Sequence, residues 1–148
     1  MSGVVLCALD VGHPEIEERV LTRAAQLAKL DDARLDVITV VPDYGNSWVG
    51  SHFEENFHEK ALTAARDGLV KLVNDTLGAE ANAEVRHIVA TGTVYEEVLR
   101  TAEADGSTLI VIGSHRPALR DYLLGPNAAR VVRHAQCSVY VVRQPDRP

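Results

Sequence analysis

The stretch best equipped for chemistry runs Gly113-Ser114-His115-Arg116-Pro117-Ala118-Leu119-Arg120-Asp121-Tyr122-Leu123-Leu124-Gly125-Pro126-Asn127-Ala128. Gly113 directly follows an apolar run, and a residue without Cβ there lets the backbone approach a ligand closely. Gly125, twelve positions on, precedes a helical pattern whose first N–H groups have no intrahelical partner and can hold an anion. His115, Arg116 and Arg120 bring positive charge to this stretch of an otherwise acidic chain. The spacing therefore predicts a phosphate cradle. The competing reading is a long surface loop with a glycine at each end.

Five apolar runs alternate with four helical patterns, and they are what must position that stretch. Val4 to Leu9 is apolar throughout, as a strand covered on both faces should be. Ile16, Val20, Ala24, Leu27 and Ala28 then recur at helical spacing, opened by Pro14 and by Glu15, Glu17 and Glu18 near the positive end of the helix dipole. Leu35 to Val41 predicts a second strand ended by Pro42, followed by a loop or lid from Asp43 to Ser51. Ser51 and Glu54 are spaced as a capping box. They open a helix with an apolar stripe of Phe57, Ala61, Ala65, Leu69, Leu72, Val73 and Leu77, closed by Gly78.

Glu84 to Ala90 alternates in polarity and suits a sheet edge. Thr93 and Glu96 form a second capping box, opening a helix that turns Val94, Val98, Leu99 and Ala102 inward. Thr108 to Ile112 predicts a central strand, Pro126 to Ala135 a short helix, and Ser138 to Val142 the last strand. Regular alternation of strand and helix implies one α/β domain over residues 1–148, with a doubly wound, mostly parallel, Rossmann-like sheet and helices on both faces. With the two fully apolar runs central and the alternating one at an edge, right-handed crossovers give the order 3-2-1-4-5. The order reverses between strands one and four, so Asp10 and Gly113 stand where open α/β sheets bind ligands.

The formal net charge of −6 argues against a nucleic-acid partner, which would call for a basic face. No apolar stretch approaches the roughly 20 residues of a membrane span, and Met1-Ser2-Gly3 offers no basic lead-in to a signal peptide. Cys7 and Cys137 lie in apolar runs and read as buried free thiols, which suits a cytoplasmic setting. The order leaves Val139-Tyr140-Val141-Val142, apolar on both faces, at an edge, which predicts a symmetric homodimer through this strand. There is no Gly-x-x-x-x-Gly-Lys-Ser/Thr loop and no Gly-x-Gly-x-x-Gly after the first strand. His52 and His58, six residues apart, do not share a helix face and predict no metal site. His134 at a helix end suits the dipole there. Trp48, Phe53 and Phe57 read as core cover in preference to a clamp over a base.

The segment also resembles the C-terminal part of the universal stress proteins, whose ATP-binding members carry a Gly-x-x-Gly pair and, further on, Gly-Ser or Gly-Thr. Here Arg116 stands at the second glycine and the intervening stretch is shorter. Ser114-His115-Arg116-Pro117, Tyr122-Leu123-Leu124-Gly125, Asn127-Ala128 and Val131-Val132-Arg133-His134-Ala135 are most similar to the F and G branch of that family. A first strand ending in Asp10, the helix start Gly92-x-Val94-x-x-x-Val98-Leu99 and Leu109-Ile110-Val111-Ile112-Gly113 extend the resemblance along the chain. It implies the adenine nucleotide alpha hydrolase-like fold and an adenine nucleotide as ligand (ATP, ADP or AMP), with Mg²⁺ admitted beside the phosphates. It places Ala8, Leu9 and Asp10 at the adenine and ribose, Ala8 standing where proline is usual, and Val40 at the adenine ring. The resemblance likewise places Gly113, Ser114, His115, Arg116, Gly125, Pro126, Asn127 and Ala128 around the phosphates. Pro126 brings neither hydroxyl nor N–H to the terminal phosphate, which predicts a weaker hold on the γ-phosphate.

The resemblance and the residues together predict a homodimeric, nucleotide-sensing stress-response module acting on a regulatory protein partner. A slow ATPase or phosphotransferase on the same pocket ranks below it, because no general base or nucleophile is readable; neither His115 nor another residue has the partners for one. A structural dimer that has lost nucleotide binding is the third reading, and it rests on Arg116 and Pro126.

Overall fold

The computed structural model describes residues 3–42, 51–114 and 125–143, with the backbone alone for 51–56. Strand β1 (Val4–Ala8) is buried at every position, which is why its sequence is apolar without alternation. Helix α1 (Pro14–Leu30) follows, then β2 (Arg34–Val41), α2 (Ser51–Leu77), α3 (Ala79–Glu84), β3 (Arg86–Thr91), α4 (Val94–Asp105), β4 (Ser107–Ser114), α5 (Pro126–His134) and β5 (Ser138–Arg143). The five strands form one all-parallel sheet in the order β3-β2-β1-β4-β5. Ala8 is in register with Ile38 on one side and Ile112 on the other, so the strands around the predicted switch point end level with one another.

Alternation of side chains across the sheet divides the core in two. Val5, Cys7, Leu9, Val37 and Val111 pack under α1 and α2, through Val20, Leu21, Ala24, Leu69, Leu72 and Val73. Leu6, Ala8, Ile38, Ile110 and Ile112 pack under α4 and α5, through Val98, Ala102, Ala128 and Val131. Cys7 and Cys137 are free and belong to opposite faces. Burial pushes the Cys7 thiol well up from its ordinary value, with the charge of Glu17 adding to it.

Local readings needed correction at several points. Gly78 does close α2, but at φ +94° it starts the extra helix α3, whose Ala-Glu-Ala-Asn-Ala-Glu stretch is too short and polar to show an apolar stripe. β3 consequently begins at Arg86 and not Glu84. Thr93 is the N-cap of α4, yet its side chain caps nothing; its carbonyl accepts from Glu97 N at 3.0 Å, and Tyr95 donates to Glu96 at 3.4 Å. The turn before it is set by Gly92, which donates to Val41 O at 2.9 Å with φ +140°. A Cβ there would sit 3.0 Å from Glu97 Oε2. Phe57, placed by periodicity in the apolar stripe of α2, is 54% exposed. The Ser51/Glu54 capping box, the Asp43–Ser51 loop, Trp48, and the side chains of His52 and Phe53 lie outside the described residues.

Candidate functional site

At the carboxyl ends of the strands, a cavity of about 290 Å³ opens between β1, β2, β4 and the helices α1, α4 and α5. It sits at the point where strand order reverses, because α1 after β1 and α5 after β4 leave the sheet on opposite faces there and cannot close over it. Ala8, Leu9 and Asp10 line it from the end of β1, Val40 from β2, Gly113 from β4 and Asn127 from α5. Six of the residues singled out in the sequence thus meet at one cleft. Ser114 is buried at the end of β4, while Gly125, Pro126 and Ala128 shape the start of α5 without lining the cavity. His115 and Arg116 lie outside the described residues, as does Arg120.

Asp10 ends β1 in a tight local structure. Its Oδ1 accepts from Gly12 N at 2.9 Å, and its Oδ2 stands 3.1 Å from His13 Nδ1. A Cβ on Gly12 would come within 3.2 Å of Oδ1, so the glycine admits the carboxylate. Asp10 therefore fixes the entry to α1 while keeping a face toward the cavity.

Three helix N-termini stand near the cleft and differ in what they can hold; that of α4 begins at the lining residue Val94 and carries Glu96 and Glu97 in its first turn. The first turn of α1 already carries Glu15 and Glu17, so its dipole is met by the chain's own carboxylates. The first turn of α5 carries no acidic residue. Gly125 takes φ +85°, Pro126 occupies the first turn, and the earliest helical bond is Ala129 N to Gly125 O at 3.0 Å. The N–H groups of Asn127 and Ala128 precede that bond. Of the three, α5 is the N-terminus suited to an anion.

The sequence reading overlooked part of the lining. Ile38, Val94, Val98 and Ile112 make an apolar wall with Ala8 and Val40, continuous with the core under α4. Thr39 and Glu17 line the cavity as well. Glu17 is only 1% exposed, although the first turn of a helix suggested a solvated dipole partner. Its spacing held the signal: 17, 20, 21, 24 and 28 share one helix face, and Val20, Leu21, Ala24 and Ala28 are buried. Among the described lining residues, Asp10 and Glu17 are acidic and none is basic.

Two other features compete for attention. A larger groove of about 790 Å³ lies between α1, the end of α2 and β5, bordered by Glu15, Glu18, Arg19, Arg23, Asp75, Tyr140 and Arg143. Its charges are mixed, and Arg23 stands over the Tyr140 ring at 6.0 Å. At the other pole, where β2, β3 and the end of α4 meet, Arg34 holds buried Asp36 at 2.9 Å and Asp105 at 2.8 Å, and Arg86 reaches Asp105 at 3.1 Å. Burial, then the hydrogen bond and charge of Asp36, push the Asp105 carboxyl up to about 6 against the pull of Arg34 and Arg86. Burial works against ionisation of Asp36 too, but the hydrogen bonds of Arg34 and Asp105 and the charges of both arginines hold it below the ordinary carboxylate range. No group of three His, Cys, Asp or Glu converges as a metal site among the described residues.

Fold and cleft together define an open, doubly wound α/β domain with a cavity at the β1/β4 switch point. The chain belongs to the universal stress protein family, whose family model matches residues 1–143. It is 29% identical over 151 aligned positions to universal stress protein G of Shigella flexneri, covering 97% of this chain and 100% of that one. Among solved structures, universal stress protein UspA from Lactobacillus plantarum superposes with a TM-score of 0.75 at 20% identity, covering 96% of this chain and 98% of the other. A universal stress protein solved in complex with cAMP gives a TM-score of 0.60 at 18% identity, covering 95% and 96%. These two likenesses bear on the fold. No helix among the described residues is long and apolar enough to cross a membrane.

Proposed function

We propose that this protein binds an adenine nucleotide at the β1/β4 cleft and acts as a homodimeric, nucleotide-sensing stress-response module in the cytoplasm. The observation that carries the reading is the meeting, at one cavity, of an apolar wall, the Asp10 carboxylate and the acid-free N-terminus of α5. An amphiphilic nucleotide matches that division: ring against Ala8 and Val40, ribose hydroxyls to Asp10, phosphates to the N–H groups of Asn127 and Ala128. The phosphates extend toward the Gly113–Gly125 segment, where Ser114, His115 and Arg116 supply polar groups and charge. Mg²⁺ would accompany a di- or triphosphate there. The relative solved with cAMP supports an adenine nucleotide as the ligand class.

Binding, and not turnover, is the activity this lining supports. Its carboxylates are committed to a loop and to a buried helix face, and among the described residues it presents no nucleophile paired with a base. The free thiols Cys7 and Cys137 suit a reducing compartment. The dimer forms through β5, which among the described residues pairs with β4 alone and leaves Tyr140 38% exposed at the sheet edge. A regulatory protein partner then reads the liganded dimer. The reading is tested by melting the protein with ATP, ADP and AMP. At least one should raise the melting temperature in a dose-dependent way, and a Tm unmoved by all three leaves only the structural-dimer reading.

A further inference from the structure

The starts of α4 and α5 border the cleft together, through Val94 and Asn127. Between the two helices, Val98 and Ala102 of α4 and Ala128 and Val131 of α5 share one apolar cluster. The helix α5 is nine residues long and is entered through Gly125 at φ +85°. Apolar contact has no direction, so a short helix packed this way gains a defined position from a directional contact. Arg130 supplies one. It stands three residues beyond Asn127, and residues at that spacing share a helix face. Its guanidinium carbon lies over the Tyr95 ring, 4.9 Å from the centroid, and its Nη1 donates to the Tyr95 hydroxyl at 3.0 Å. Tyr95 directly follows Val94, is partly buried against the cluster under α4, and donates to Glu96 Oε2 at 3.4 Å. Neither Tyr95 nor Arg130 lines the cavity, so their influence there passes through the helices that carry them.

We propose that Tyr95 and Arg130 are positioning residues for the phosphate end of the cleft: their stacked, hydrogen-bonded contact fixes the first turn of α5 against α4 and so sets where the N–H groups of Asn127 and Ala128 point. The inference rests on the nucleotide reading above and adds what holds its phosphate donors in place. Ala8, Asp10 and Val40, which receive base and ribose in that reading, stand at the ends of β1 and β2 and do not depend on this contact. Loosening α5 therefore costs hold on the phosphate and not on the nucleoside. Donors displaced by a fraction of an ångström lose much of their grip.

The test is calorimetric titration of the full chain with AMP and adenosine, which differ by the phosphate. The wild type should bind AMP at least about tenfold more tightly. Tyr95→Leu keeps apolar bulk against the α4 cluster and leaves the Arg130 charge in place, while removing the ring face and the hydroxyl. It should weaken AMP by about fivefold and leave adenosine within about twofold of the wild type. Tyr95→Phe, which loses the hydroxyl alone, should fall between wild type and Tyr95→Leu for AMP. Equal losses for AMP and adenosine overturn the assignment, because a merely structural role moves both; AMP affinity unchanged or raised overturns it too. Should Tyr95→Leu fail to fold, the same comparison on Tyr95→Phe decides. Equal wild-type affinities for AMP and adenosine remove the phosphate hold, and the assignment with it, while nucleoside binding stands. Binding of neither ligand by the wild type would overturn the nucleotide reading and this assignment together.

Discussion

In the proposed reading, Asp10 and Pro126 stand toward the two ends of the nucleotide, and each makes a separate demand on it. Asp10 holds its loop through Gly12 N and His13 while facing the cavity. Asp10→Ala should therefore weaken AMP by about tenfold, since hydrogen bonds to a charged group contribute on the order of 1.5–3 kcal/mol. Unchanged AMP affinity in titration calorimetry would remove Asp10 from the site. Pro126 sits in the first turn of α5 with neither hydroxyl nor N–H for the last phosphate. Pro126→Ser should raise ATP affinity by several-fold and leave AMP unchanged. Equal gains for both would show that Pro126 acts on the helix and not on the γ-phosphate. Asp10, Val40, Gly113 and Asn127 were legible from strand ends and motif. Glu17 was not, because acidic residues in a first helical turn nearly always face water, and only its place in the 17-20-21-24-28 stripe marked it as buried.

At the scale of elements, the strands were readable because each is short, apolar and bounded by turn residues. The helix starts were less so. The Thr93/Glu96 pair has the spacing of a capping box, but Gly92 and the buried Glu97 set that turn instead. Gly92→Ala should cost on the order of 1–3 kcal/mol, since φ +140° strains any residue with a Cβ. A urea midpoint equal to that of the wild type would contradict this. The ion cluster joining β2, β3 and α4 predicts a pH effect. Folded Asp105 titrates near 6, above its ordinary carboxylate value, so between about pH 4 and 6 the folded state binds more protons than the unfolded one. That contribution is complete below this window and is lost as pH rises through 6. The lowered Asp36 works the opposite way, and only at more acid pH. Denaturant unfolding should show the wild type losing on the order of 1–2 kcal/mol more than Asp105→Asn between pH 5 and 7.5. Parallel profiles for the two would refute a raised Asp105 carboxyl in the folded state.

For the whole molecule, strand order followed from two constraints: fully apolar runs must be central, and crossovers are right-handed. Both hold in the β3-β2-β1-β4-β5 sheet, which fixes the switch point and with it the cleft. The helix α3 escaped because it is six residues long and has no buried position. Assembly belongs to this scale as well. β5 leaves Tyr140 exposed beside a groove of mixed charge, and a second copy pairing along that edge would cover both. Light scattering at micromolar concentration should give twice the monomer mass of 16.1 kDa. Tyr140→Asp should shift it toward the monomer, and a monomeric wild type would contradict the dimer.

The central claim is that the β1/β4 cleft holds an adenine nucleotide. The most direct measurement is chromatography of what the purified protein releases on acid denaturation, followed by titration of the emptied, refolded protein with ATP, ADP and AMP. The account predicts that at least one of these is released or binds back, with an affinity that Asp10→Ala lowers. Nothing released and no binding of any of the three would contradict it.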